Sequence, residues 1–152
     1  MNKALFIIMF GWYVVGFSQQ DATAVEQTIA TFFKGFHAQD SLLMKSVLHK
    51  TATLTSISIT DEHAAPKVST TPTTVFLKSI VSVPNEMDFK EVIHDIKVTS
   101  DGMMAHAWTP YTFYVNDAVS HCGTNSFTLL KSNGEWLILS ITDTRKKEKC
   151  RS

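Results

Sequence analysis

Residues 103–145 read MMAHAWTPYTFYVNDAVSHCGTNSFTLLKSNGEWLILSITDTR, and this stretch decides the fold. Two pairs, Asn116-Asp117 and Asn133-Gly134, divide it into runs rich in Thr, Tyr, Phe, Ile and Trp. Asn, Asp and Gly tolerate the positive φ of a two-residue hairpin, while β-branched and aromatic residues suit a pleated surface. The spacing predicts three adjacent antiparallel strands: Met103 to Val115, Val119 to Lys131 and Glu135 to Thr144. Ser100-Asp101-Gly102 is a further turn, and Phe89 to Thr99 reads as another long strand before it.

Two-residue turns also set the register. They place Thr112 opposite His121, Trp108 opposite Asn125, and Asn125 opposite Thr142. Because strand side chains alternate, one face should gather His106, Trp108, Tyr114, His121, Asn125, Phe127, Trp136 and Thr142. The other should gather Tyr111, Phe113, Cys122, Leu137, Ile141, Asp143 and Arg145. Both faces are substantially apolar, so both need cover. A bulge would exchange the two sets from that point onward.

Upstream, the period changes from two to that of a helix. Thr23-Ala-Val-Glu26 has the form of a capping box. Val25, Ile29, Phe32, Phe33 and Phe36 follow at helical spacing, predicting an amphipathic helix that ends near His37. Asp40 or Ser41 caps a second, shorter helix through Leu48, and Thr71-Pro72 starts a third that Pro84 ends. Between them, Ala52 to Ile59 reads as a strand and Asp61 to Thr70 as a polar loop. Helices first and a strand meander after them define an α+β domain.

The chain's first 19 residues read as a signal peptide, leaving residues 20–152 as one domain. Lys3 precedes an apolar run from Ala4 to Phe17, which is 14 residues and short of the ~20 that span a membrane. Gly16-Phe17-Ser18 supplies small residues for cleavage. The expected product is periplasmic or secreted, without stable membrane insertion after cleavage. The 14 basic and 14 acidic residues balance, so no basic field exists to hold nucleic acid. Two cysteines, Cys122 and Cys150, suit an oxidising compartment; an even count favours a bridge, with free thiols as the alternative.

The candidate chemistry lies on the first strand face. The histidines, His37, His49, His63, His94, His106 and His121, lack the short spacings of a metal site, and no phosphate loop or nucleophile elbow occurs. No cofactor is expected. Trp108, Tyr114, His121, Asn125, Thr142 and His106 combine aromatic walls with a few polar groups, the pattern of a small-molecule site. On this register no carboxylate shares the face with His121. That argues for binding over catalysis.

Trp108-Thr-Pro-Tyr-Thr-Phe-Tyr114, His121-Cys-Gly-Thr-Asn-Ser-Phe127, Gly134-Glu-Trp136 and Asp143-Thr-Arg145, closing at Cys150, carry a resemblance. They resemble the nuclear transport factor 2-like superfamily, in its SnoaL-like and lumazine-binding-like branches, within an exported bacterial subgroup. The resemblance implies a cone: a bent antiparallel sheet around the helices, a pocket at the open end, and frequent dimers through the sheet. Such folds host isomerases, cyclases, dehydratases and plain binding domains, so fold alone does not give activity. The expectation is therefore an exported protein that binds a small apolar or aromatic ligand in a hydrophobic pocket, homodimeric through its sheet. The alternatives are a cofactor-independent lyase or isomerase using His121 as acid/base, and a protein-interaction domain.

Overall fold

The computed structural model describes residues 13–59, 65–84 and 86–151. The expected leader lies outside the described residues as far as residue 12, as does His63 in the expected 61–70 loop.

Helix α1 (Tyr13–His37) starts upstream of the predicted capping box. Thr23 is internal to it, and its hydroxyl donates to the Gln19 carbonyl one turn back. The side chain serves the helix interior and caps no end. Helix α2 (Ser41–Ser46) begins where predicted: Asp40 accepts from the amides of Leu42 and Leu43 at 3.0 and 2.9 Å, satisfying two otherwise free donors. Strand β1 (Leu48–Ser58) follows.

The predicted polar loop is in part a strand. β2 (Lys67–Pro72) pairs antiparallel with β1, Ser58 opposite Lys67 and Thr53 opposite Pro72. It is an edge strand held by backbone bonds, and most of its side chains are exposed, so no alternating pattern marks it. Helix α3 (Thr73–Val81) then begins one residue after Pro72, which occupies the cap position.

The predicted strand over residues 89–99 is two strands, β3 (Phe89–Ile93) and β4 (Lys97–Ser100). Both pair with β5 (Met104–Val115), and the His94 amide donates to the Pro110 carbonyl where the chain breaks between them. β6 (Ala118–Ser132) and β7 (Glu135–Arg145) complete the sheet. Positive φ at Asn116, Asp117, Asn133 and Gly134 makes both connecting turns of the tight hairpin kind.

The strand order is β2-β1-β7-β6-β5-β3, with β4 also on β5. One pairing corrects the expected all-antiparallel sheet: β1 runs parallel to β7. No hairpin joins those two strands, so no turn dictates their relative direction. The result is an α+β fold with a large, curved, mixed sheet wrapped around the N-terminal helices.

Two bulges determine which side chains face inward. Between Phe113–His121 and Tyr114–Val119 the register shifts, leaving Ser120 as an extra residue. Between Thr128–Ser140 and Leu129–Ile138 it shifts again, leaving Leu139 extra. An inserted residue reverses the facing of everything beyond it relative to the neighbouring strand. His121 therefore opposes Phe113, not Thr112, and Asn125 opposes Asp143, not Thr142. The inner face is Ala105, Ala107, Thr109, Tyr111 and Phe113 on β5, with His121, Asn125, Phe127 and Leu129 on β6. Trp136, Ile138, Ile141 and Asp143 continue it on β7.

Helix α1 covers this face. Phe32 and Phe33 meet Phe127 edge-on at 6.3 and 6.0 Å, and Phe36 meets Phe89 at 5.1 Å. Val25, Ile29 and Met44 are almost fully buried with them. Burial of this kind stabilises by roughly 25 cal/mol per Å² of apolar surface, and edge-to-face ring pairs add to it.

On the outer face the chain after β7 folds back. The backbones of Cys122 and Lys146 exchange two bonds of 2.9 Å, and the Thr112 hydroxyl donates to the Arg151 carbonyl. Cys122 and Cys150 are joined by a disulfide across 28 positions. A link closing a loop of this length stabilises by about 3–4 kcal/mol on the chain-entropy model.

Candidate functional site

A cavity of about 340 Å³ lies between the helices and the inner face of the sheet. Phe32, Phe33 and Phe36 of α1 and Phe76 of α3 form its aromatic wall, and Phe113 and Phe127 continue it on the sheet. Phe36 and Phe76 stand nearly parallel at 6.3 Å and Phe32 and Phe76 at 6.2 Å, while Phe33 meets Phe32 and Phe36 edge-on.

The opposite wall is polar. Glu91 reaches the cavity from β3, Tyr111 from β5, His121 and Asn125 from β6, and Asp143 and Arg145 from β7. Asn125 is buried and its Nδ2 donates to Glu91 Oε1 at 2.7 Å. Asp143 is held by three neighbours: Arg145 Nε donates to its Oδ2 at 2.6 Å, the Ser56 hydroxyl to its Oδ1, and the Tyr111 hydroxyl lies 3.4 Å from Oδ2. Tyr111 directs its stronger bond, 3.0 Å, to the Thr144 carbonyl.

Charge states follow from these surroundings. Burial pushes the Glu91 carboxyl up to about 7; the bond from Asn125 opposes this, and the nearby Asp143 charge adds to it. Burial, with the Asp143 and Glu91 charges behind it, pushes the Tyr111 phenol far above its ordinary value, so it stays a neutral donor. Burial and then Arg145 lower the His121 pKa, which keeps that ring neutral at pH 7. His121 packs face to face with Phe113 at 4.8 Å.

Of the residues predicted for a site, the structure brings His121 and Asn125 into the cavity. Trp108, Tyr114, Thr142 and His106 stand on the outer face instead. Trp108 is 47% exposed, and His106 Nε2 lies 2.9 Å from the Ser126 hydroxyl. The two bulges are the cause, since the expected register had put these four beside His121. The same bulges reverse the expectation that no carboxylate faces the pocket. Asp143 now lies across from Asn125, and Glu91 joins it from β3. Glu91 had a readable signal: Phe89 packs inward, and alternation puts Glu91 on the same face two residues later.

A family model described as "Putative lumazine-binding" matches residues 20–142. The chain belongs to that family. Solved structures of other proteins share its fold at low identity. An NTF2-like protein of unknown function from Shewanella baltica OS155 is 19% identical, with 90% of this chain and 98% of that one covered and a TM-score of 0.59. A protein of unknown function from Mycobacterium tuberculosis is 11% identical over 90% of this chain and 76% of that one, with a TM-score of 0.69. One with a cystatin-like fold from Nostoc punctiforme PCC 73102 is 8% identical over 85% and 93%, at 0.65. These likenesses establish the nuclear transport factor 2-like fold for the family member described above. No curated protein matches its sequence significantly. Among the described residues no group of His, Cys, Asp and Glu could hold a metal ion, and no helix is long and apolar enough to cross a membrane.

Proposed function

We propose that this chain is an exported small-molecule-binding protein whose ligand occupies the cavity between α1, α3 and the sheet. The observation that carries the proposal is the cavity's division into a stacked phenylalanine wall and a facing set of Glu91, Asn125, Tyr111, Asp143 and Arg145. Apolar contact supplies affinity, and a few fixed polar groups select orientation. The family description points the same way. Export is supported by the apolar N-terminal run, by the Cys122–Cys150 link and by a family match that begins at residue 20.

The neutral two-ring compound 2-naphthamide is a suitable probe of the cavity, alongside mass spectrometry of any molecule that co-purifies. It should stabilise the protein thermally, and Phe76→Ala should weaken it about tenfold by removing one face of the aromatic wall. Unchanged binding in both Phe76→Ala and Asn125→Ala would place the ligand elsewhere.

A second reading is favoured by Glu91. A carboxyl that titrates near neutrality inside an apolar cavity can take a proton from a carbon beside a ligand carbonyl and return it to another position. In a lyase or isomerase of this kind the proton carrier is Glu91, with neutral His121 also lining the cavity. A turnover profile with a step near pH 7 that disappears in Glu91→Gln is its signature.

We further propose pairing of two copies through the outer sheet face, where Trp108 and Met104 are 47% and 53% exposed. Light scattering at micromolar concentration is expected to give twice the chain's mass. A monomer there removes this part of the proposal.

A further inference from the structure

Among the described residues that line the cavity, Glu91 is the carboxylate with no salt bridge of its own; Arg145 attracts it through space but is bonded to Asp143. Asp143 has Arg145 at 2.6 Å and the Ser56 hydroxyl, so that pair is internally neutral. Tyr111 is a neutral phenol, and His121 is a neutral imidazole packed on Phe113. His37 of α1 turns its Nε2 to accept from the Glu91 amide at 3.0 Å, so that nitrogen offers the carboxylate no proton. Lys90, the neighbour on β3, pairs with Tyr114 on the outer face. The Glu91 carboxylate is thus left with one neutral partner, the Asn125 amide.

A buried carboxylate with no cation bonded to it is costly, and it is relieved in two ways. It takes up a proton, or a ligand brings the missing positive charge. The rest of the cavity favours the second. Phenylalanine rings line the cavity, and an aromatic face carries negative π density that attracts a cation and repels an anion. With Glu91 ionised, the charges of Glu91, Asp143 and Arg145 sum to one negative.

We propose that the cavity takes a flat organic cation, a protonated amine or amidine carried on one or two rings, whose N–H groups bond to Glu91 while its rings lie against the phenylalanines. This rests on the ligand-binding reading above and names the class of ligand. An anionic ligand would confront both carboxylates, with the Nε of Arg145 bonded to Asp143.

The test compares three probes of one shape by calorimetry between pH 6 and 8.5: 2-naphthamidine, which is cationic throughout, neutral 2-naphthamide and anionic 2-naphthoate. In the wild-type protein the amidinium should bind about tenfold or more tighter than the amide at pH 8, and the naphthoate most weakly. Below pH 7 amidinium binding must expel the Glu91 proton, so its affinity should fall by up to about tenfold per pH unit while the amide's stays level. Glu91→Gln keeps the size of the side chain and an acceptor for Asn125. In it the amidinium should lose its advantage, the ratio of amidinium to amide affinity falling to about one. Equal amide and amidinium binding, or an amidinium affinity unchanged in Glu91→Gln, overturns the cation and leaves the pocket standing. Failure of all three probes at millimolar concentration overturns both.

Discussion

Gly123→Ala is expected to destabilise the fold by about 3–5 kcal/mol. A Cβ on Gly123 would lie 1.7 Å from the Thr144 carbonyl oxygen, 2.7 Å from its carbon and 3.1 Å from its hydroxyl oxygen. Two of these are backbone atoms, and they are tied on several sides. The Thr144 carbonyl accepts from Tyr111, and the Thr144 hydroxyl accepts from the Thr124 amide at 3.1 Å. Just beyond lie the paired backbones of Cys122 and Lys146, and on the other side the Asn125–Asp143 pair. Making room means moving β7 away from β6, which breaks these bonds and frees the Tyr111 hydroxyl inside the protein. Urea denaturation measures the loss. Gly134→Ala is the control: its φ of +85° disfavours a side chain, but nothing lies within 4 Å, so about 1–2 kcal/mol is expected. A Gly123→Ala protein within 1 kcal/mol of wild type would mean that β6 and β7 do not approach this closely.

Glu91→Gln is expected to stabilise the protein at pH 8 by about 2–3 kcal/mol, with solvent access to the cavity allowed for, and by only about 0.4 kcal/mol at pH 4.5, where the unfolded chain is half ionised. Glu91 titrates near 7 in the folded protein against an ordinary value of 4.5, so the folded state holds its proton longer. Below both values each state is protonated and the group contributes nothing. Between 4.5 and about 7 the unfolded chain ionises first, and wild-type stability declines as pH rises. Above 7 both states are ionised and the full deficit persists. Glutamine carries no charge to desolvate, so the gap between variant and wild type should open across this window and then stay constant. Urea midpoints at pH 4.5, 6 and 8 trace it, and subtracting the curves cancels every other titrating group. A variant less stable than wild type at pH 8 would show that the carboxylate is compensated in the empty cavity.

Both predictions depend on side chains that the local sequence placed correctly only in part. The turns at Asn116-Asp117 and Asn133-Gly134 were readable because positive φ is a demand few residues meet, and Asp40 because a helix start leaves donors that a carboxylate satisfies. The phenylalanine stripe of α1 was readable from period alone. The inward set on β5 was not, because Ser120 and Leu139 are ordinary strand residues and nothing in their identity announces a bulge. β2 was missed since its exposed side chains carry no alternation, and the halving of residues 89–99 since both halves suit a strand.

Local patterning was enough for the elements: an amphipathic helix, two tight hairpins, an α+β order, and a stock of aromatic, amide and carboxylate groups on strands. These depend on neighbours a few residues apart, where backbone sterics and side-chain period act directly. Which of those groups share the cavity depends on contacts between distant strands. One extra residue in each of two strands turns Trp108, Tyr114 and Thr142 outward and brings Asp143 in beside Asn125 and Glu91. Facing depends on register counted across strands, and register is set by how the whole sheet curves onto α1.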